Sequence, residues 1–425
     1  GPIDMPTRVR YSIIATTTLV AVLLYLDRIC IAEIAKRDDF RLAFGIGDKG
    51  AGAFMSAFFF AYALAQVPSG WLADRFGARG MLAIYVVLWS ACTVFTGLAG
   101  GFVMLILARV FFGIAQAGCY PTSGSLIKRW IPLDGRGRAS SIVSMGGRIG
   151  GVIAPLLTAW LLADHLKWQH VLLLYGLSGV FVAALFWRNI RETPADHPHC
   201  NEEEQQLIAP NGPEFSDGPP PAPPLGPLVR NLSMWRMCLM QFCVNVGWVF
   251  LVSWLPKYLK SVHNVDEKTG GLMSTLVLLA GICGVILGGP LADWLYKRFG
   301  VRRSRVIQLV GAKAVAATAF LACIFLDSAW AIVGALAVVA FMTDMGIPAV
   351  WAYMMDVGGR NAAAVFGWGN MWGNFGAGVA INLVPQIREA WDKNNDWHEA
   401  FMLCAGGFII AAIAASGLNA KSKVE

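Results

Sequence analysis

Twelve times along this chain the side chains stay apolar for close to the ~20 residues that an α-helix needs to cross bilayer hydrocarbon. The runs fall at 11–34, 50–73, 81–100, 102–127, 139–163, 169–187, 235–259, 269–295, 306–326, 329–355, 362–385 and 398–418. In hydrocarbon every backbone N–H and C=O must find a partner inside the chain, and for runs of this length that means helices. Residues are 56% hydrophobic and only 14% charged, against ~25% charged in ordinary soluble domains. The sequence therefore predicts an all-α membrane protein with twelve transmembrane helices.

Two of the connecting loops are alike. Gly70-Trp-Leu-Ala-Asp-Arg-Phe-Gly-Ala-Arg79 returns about 219 residues later as Gly289-Pro-Leu-Ala-Asp-Trp-Leu-Tyr-Lys-Arg-Phe-Gly-Val-Arg-Arg303. Such a repeat predicts two homologous six-helix halves fused head to tail, residues 1–190 and 231–425, which is a transporter's organisation. Between them, 191–230 is acidic and then proline-rich (Pro219-Pro-Pro-Ala-Pro-Pro224), the composition of a flexible cytoplasmic linker. His197, His199 and Cys200 lie there and read as solvated linker residues. The nine cysteines form no Cys-x-x-Cys pair, and those in the spans read as small packing residues. Neither a metal site nor a cofactor is expected.

Gly1-Pro2 reads as a remnant of tag removal ahead of Met5, and the first span lacks a cleavage site, so it reads as a retained helix. Lys and Arg concentrate in alternate loops: Arg8 and Arg10, Arg75 and Arg79, Lys128 to Arg138, Arg188 and Arg191, and Lys297 to Arg305. By the positive-inside rule those loops and both termini are cytoplasmic. The net charge of +7 follows from this asymmetry, and nucleic-acid binding is not expected.

Ionisable side chains at membrane depth are costly and normally face a cavity or a partner. The first span carries Tyr25, Asp27 and Arg28, the fourth Arg109 and Gln116, the fifth Arg148 and the tenth Asp344. Arg109 and Gln116 lie two turns apart on one face, and a guanidinium fork matches a carboxylate or phosphate. Arg109 either grips an anion or pairs with a neighbouring acid. Asp27, next to Arg28, could neutralise an arginine when ionised and release it when protonated, as proton coupling requires, or form a purely structural pair. Arg148 is a second anion anchor or the partner of an acid such as Asp344. Tyr62 with Gln66, Gln241 with Asn245 and Trp248, and Asn370 with Asn374 form polar stripes that either meet a ligand or bridge helices.

These residues resemble the major facilitator superfamily and, more narrowly, its anion:cation symporter family of sugar-acid permeases and vesicular glutamate and sialate carriers. The resemblance rests on Tyr25-x-Asp27-Arg28, Tyr62-x-x-x-Gln66-x-Pro68-x-Gly70, the Arg109 helix ending in Cys119-Tyr-Pro121, Arg191-Glu-Thr-Pro-x-x-His197-Pro, Trp254-Leu-Pro-x-Tyr258, Asp356-Val-Gly-Gly and Asn370-x-x-x-Asn374. It implies that Arg28 and Arg109 contact a substrate anion, that Tyr25, Tyr62 and Asn374 help line its site, and that Asp27 takes part in proton coupling. One position departs from the pattern: Gln116 stands where family members usually carry a glutamate, so coupling would rest on Asp27 or Asp344, use another ion, or be absent.

The expectation is a secondary active transporter, not an enzyme: a monomer in a bacterial inner membrane that carries a small organic anion, such as a sugar acid, by alternating access with protons or another coupling ion. Its expected substrate site comprises Tyr25, Arg28, Tyr62, Arg109, Gln116, Asn245 and Asn374. Asp74 and Asp293, with Arg79 and Arg138, would latch the halves by capping helix N-termini or pairing with arginines. An organophosphate/phosphate exchanger is the nearest rival, and a transport-inactive membrane sensor a more distant one.

Overall fold

The computed structural model describes residues 5–163, 166–208, 218–391 and 397–424. Among the described residues there is helix and no strand. Ten helical stretches are long and apolar enough to span a bilayer, and two of them, of 58 and 53 residues, are too long to be single crossings. At ~1.5 Å per residue each would run well beyond twice the ~30 Å of hydrocarbon. The first folds back at Gly300, whose φ of 74° suits a residue without a Cβ. The second folds back at a short turn, Gly359–Asn361.

Twelve spans result, as the sequence predicts. They are α1 (Val9–Ala35), α2 (Gly50–Phe76), α3 (Ala78–Leu98), α4 (Phe102–Trp130), α5 (Arg136–Ala163), α6 (Trp168–Asn189), α7 (Leu232–His263), α8 (268–299), α9 (301–325), α10 (329–358), α11 (Ala362–Trp391) and α12 (His398–Ser416). Large apolar side chains such as Phe60, Phe111, Leu156 and Phe181 lie exposed on the outside, as expected where lipid is the solvent. The first six helices pack on one another and the last six likewise, with α2 against α11 and α5 against α8 and α10 joining the two groups.

The stretch read as a flexible linker is partly folded. Glu192 accepts from the backbone N–H groups of Ala78 and Arg79 at 2.9 and 3.0 Å and so caps α3. His197 sits edge-on to the Trp130 ring, 5.7 Å between centroids. A short helix, Glu202–Ile208, buries Ile208 and Glu204, with Cys200 tucked beside it. His197 and Cys200 are therefore packed, not solvated: composition missed the few apolar and capping side chains that anchor this segment. Residues 209–217 of the linker lie outside the described residues.

Candidate functional site

A cavity of about 350 Å³ lies between the two halves. From the first half it is lined by Tyr25 and Arg28 of α1, Tyr62 of α2, Tyr120 of α4 and Arg148 of α5. From the second half come Asn245 of α7, Lys313 of α9, Asp344 of α10, and Asn370 and Asn374 of α11, among others.

Arg28 is held by three aromatic rings and by Gln116. Its guanidinium carbon lies 4.8, 4.9 and 4.8 Å from the ring centroids of Tyr25, Phe58 and Tyr62, cation–π distances that favour a desolvated charge. Tyr25 is there because residues three apart share a helix face. Nε donates to the Gln116 side-chain oxygen at 3.0 Å, and the Gln116 amide in turn donates to the Leu24 carbonyl at 3.0 Å. Nη2 is buried without a hydrogen-bond partner. Arg28 lines the cavity as an oriented guanidinium with no ion pair among the described residues, which suits an anion.

Two expected site residues, Arg109 and Gln116, and the expected coupling acid Asp27 do not line the cavity. Arg109, only 1% exposed, is enclosed by the rings of Phe54, Phe58 and Phe112 at 5.4, 4.7 and 5.2 Å. Its Nη2 rests 3.8 Å from the Met55 sulfur, and Nε and Nη1 lack partners. Arg109 and Gln116 do share a face, but seven residues of rise are ~10 Å, and only the Gln116 end reaches Arg28. Gln116 is fully buried and holds Arg28 from behind. Asp27 is also fully buried and accepts from the Trp89 indole at 3.0 Å. It does not pair with Arg28, because adjacent residues on a helix point ~100° apart.

Across the cavity, Arg148 donates to Asp344 at 2.8 Å and lies over the Trp248 ring at 4.4 Å. Of the two roles open to Arg148 on sequence, the structure displays the ion pair. Asn245 and Asn374 each donate to the carbonyl one turn earlier, Gln241 and Asn370, both at 2.8 Å. Their side-chain oxygens remain for a ligand's hydroxyls. Asn370 also donates to Gln66 at 3.2 Å, bridging α11 to α2. Lys313, 2% exposed, lines the same wall and escaped sequence reasoning. The signal was available: a lysine within an apolar run meets the same cost argument as the other charges.

One end of the molecule is closed by paired contacts. Asp74 at the end of α2 accepts from the Ala363 and Ala364 backbone N–H groups at 3.0 and 2.9 Å, capping α11 of the other half. Asp293 at the end of α8 accepts from Gly137 and Arg138 N–H at 2.8 and 3.0 Å, capping α5. A Cβ on Gly70 would stand 2.4 Å from the Ala363 carbonyl oxygen, and one on Gly289 2.6 Å from Ser141 Cβ. The glycines of the repeated loop thus permit the approach that the two acids fix. Arg138 adds a half-exposed ion pair to Asp293 at 3.7 Å.

Arg79 takes no part in these contacts. It donates to the Trp187 carbonyl and lies over that ring at 4.0 Å, within the first half. A buried contact missed on sequence completes the seal: Asp356 accepts from Arg136 of the first half at 3.2 Å and from Arg305 at 3.1 Å. Arg136 was counted only as a loop charge and Asp356 only as a motif residue, since pairing between halves has no local signature.

Comparison with known proteins agrees with this architecture. A family model described as Major Facilitator Superfamily matches residues 16–381. A probable sulfoacetate transporter of Cupriavidus necator is 28% identical, over 97% of this chain and 94% of the relative. A probable galactarate/D-glucarate transporter of Bacillus subtilis is 27% identical, over 97% of this chain and 92% of the relative. Among solved structures, FucP, a Major Facilitator Superfamily transporter in the outward conformation, superposes with a TM-score of 0.71 at 14% identity, covering 97% of this chain and 100% of that one. On the family match and the twelve helices, this chain is a multi-pass membrane protein that belongs to the Major Facilitator Superfamily of transporters.

Proposed function

We propose that this protein carries a small organic anion, a sugar acid or related carboxylate, across a bacterial inner membrane together with a proton. The observation that carries the reading is Arg28: a guanidinium caged by aromatic rings, with no ion pair among the described residues, that lines the cavity between the halves. The two relatives, named as transporters of sulfoacetate and of galactarate and D-glucarate, support an anionic substrate of this size. The latched end carries the basic loops, so it faces the cytoplasm. Breaking the Asp74, Asp293 and Asp356 contacts would open the cavity there, and resealing would return it, which is alternating access by a monomer.

The proton rides on Asp344. It lines the cavity and is paired across the halves with Arg148, whereas Asp27 is enclosed beside Trp89. A second reading, anion exchange without a proton, is favoured by Gln116, which cannot titrate at its place beside Arg28.

A thermal-shift screen of the purified protein tests the substrate class. A bound anion at ~100 times its Kd should stabilise by ~2.7 kcal/mol. Stabilisation by sugar acids or sulfoacetate supports the reading, and stabilisation by hexose phosphates alone would replace it with the organophosphate one.

A further inference from the structure

We infer that the cavity is built for a dianion with an acidic group at each end, and that Lys313 is the residue that selects it. This deepens the organic-anion reading and rests on it. The argument begins with charge. Among the described residues lining the cavity the carboxyl, guanidinium and ammonium groups are those of Asp344, Arg28, Arg148 and Lys313. Arg148 and Asp344 neutralise each other at 2.8 Å, leaving Arg28 and Lys313 as two positive charges without a carboxylate in contact.

The two stand on different halves of the molecule, Arg28 on α1 and Lys313 on α9. Lys313 makes no hydrogen bond or ion pair among the described residues, and its ammonium lies 6.0 Å from the Phe408 ring. Asp344, the carboxyl that lines the same cavity, is engaged by Arg148 through Oδ1, while its Oδ2 is buried without a hydrogen-bond partner. A buried ammonium in that setting needs an anion that is not part of the wall. A monoanion held by Arg28 leaves Lys313 uncompensated. A chain with a second acidic group compensates both, and the side-chain oxygens of Asn245 and Asn374 on the same half can accept from hydroxyls between the ends.

The test compares anions that differ only in their second charge. Galactarate and galactonate share a six-carbon hydroxylated chain and differ in a terminal carboxylate. Sulfoacetate and sulfoacetamide form a second, shorter pair. Calorimetric titration of the full chain in nanodiscs should show at least one dianion binding tenfold or more tighter than its monoanionic partner. In Lys313→Met that ratio should fall to about one, and in Lys313→Arg it should persist. Equal affinities within each pair in wild type, or a preference that survives in Lys313→Met, would overturn the inference while leaving the organic-anion reading in place. Failure of all four anions to bind wild type would overturn both.

Discussion

Asp74 and Asp293, 219 residues apart, perform the same act from opposite halves: each carboxylate caps the N-terminus of a helix belonging to the other half. A carboxylate on two backbone N–H groups at a helix start is stabilised by both hydrogen bonds and the helix dipole. Losing one such cap costs about 1–2 kcal/mol, and 1.4 kcal/mol is a tenfold change in an equilibrium. Asp74→Ala should therefore shift the population toward an open latched end about tenfold. Electron–electron distance measurements between spin labels at Phe76 and Arg298 should show a longer component grow in. An unchanged distance distribution in both Asp74→Ala and Asp293→Ala would remove the latch role.

Gln116 fixes Arg28 without competing for its charge. In Gln116→Glu an ionised carboxylate would pair with Arg28 and weaken its hold on an anion. Protonation restores an uncharged partner, so anion affinity in the variant should rise as pH falls, by about tenfold from pH ~8 to ~5, since one pKa unit corresponds to ~1.4 kcal/mol. Titration calorimetry of both proteins across that range decides it; parallel profiles would mean that position 116 does not act on the site through Arg28.

Outside the membrane, Glu204 ties the linker to the start of α1. It accepts from Thr7 Oγ1 at 2.6 Å, from the Val9 and Arg10 N–H groups at 3.0 and 3.1 Å, and from Arg10 Nη1 at 2.8 Å. Burial works against its charge, but the Thr7, Arg10 and Val9 hydrogen bonds outweigh it and hold the carboxyl below its usual range. A depressed carboxyl contributes stability that is fully present above the unfolded value of ~4.3 and fades as pH drops through the lower folded value. Glu204→Gln should cost about 1.5–3 kcal/mol at neutral pH, read as a lower unfolding temperature, with the gap closing in acid. A gap independent of pH would show that shape and not charge sets its contribution.

Much of this molecule was legible before its structure. Long apolar runs fixed the twelve crossings because hydrocarbon leaves the backbone few alternatives, and the repeated Gly–Asp loop pointed to Asp74 and Asp293, which cap helices packed against them. The residues that do not line the cavity were read from local features of the chain. Arg109 was placed at the site because a guanidinium fork at membrane depth suits an anion, yet here aromatic faces and a methionine sulfur surround it. Asp27 was matched to Arg28 by adjacency, although adjacent helical residues diverge. Arg136 and Asp356 acquire meaning only when separate helices meet, which no spacing along the chain encodes, whereas Lys313 could have been found as a charge within an apolar run.

That correction changes which acid is expected to carry the proton. Asp27→Asn keeps an oxygen for the Trp89 indole and should retain uptake driven by a pH gradient. Asp344→Asn should lose gradient-driven accumulation while still exchanging anion. Proteoliposome uptake with the outside acidified separates them. Accumulation lost in Asp27→Asn and kept in Asp344→Asn would return the role to α1, and a wild type indifferent to the gradient would favour the exchange reading.

The central claim is that an organic anion is held by Arg28 in the cavity between the halves, and counterflow in proteoliposomes tests it most directly. Vesicles loaded with sulfoacetate, galactarate, D-glucarate or galactonate should take up the matching labelled anion through the wild-type protein. Arg28→Lys keeps the charge but loses the planar fork, so it should exchange the same anion at least tenfold more slowly at low concentration. Wild-type rates in Arg28→Lys, or no exchange of any of these anions by the wild type, would contradict the account.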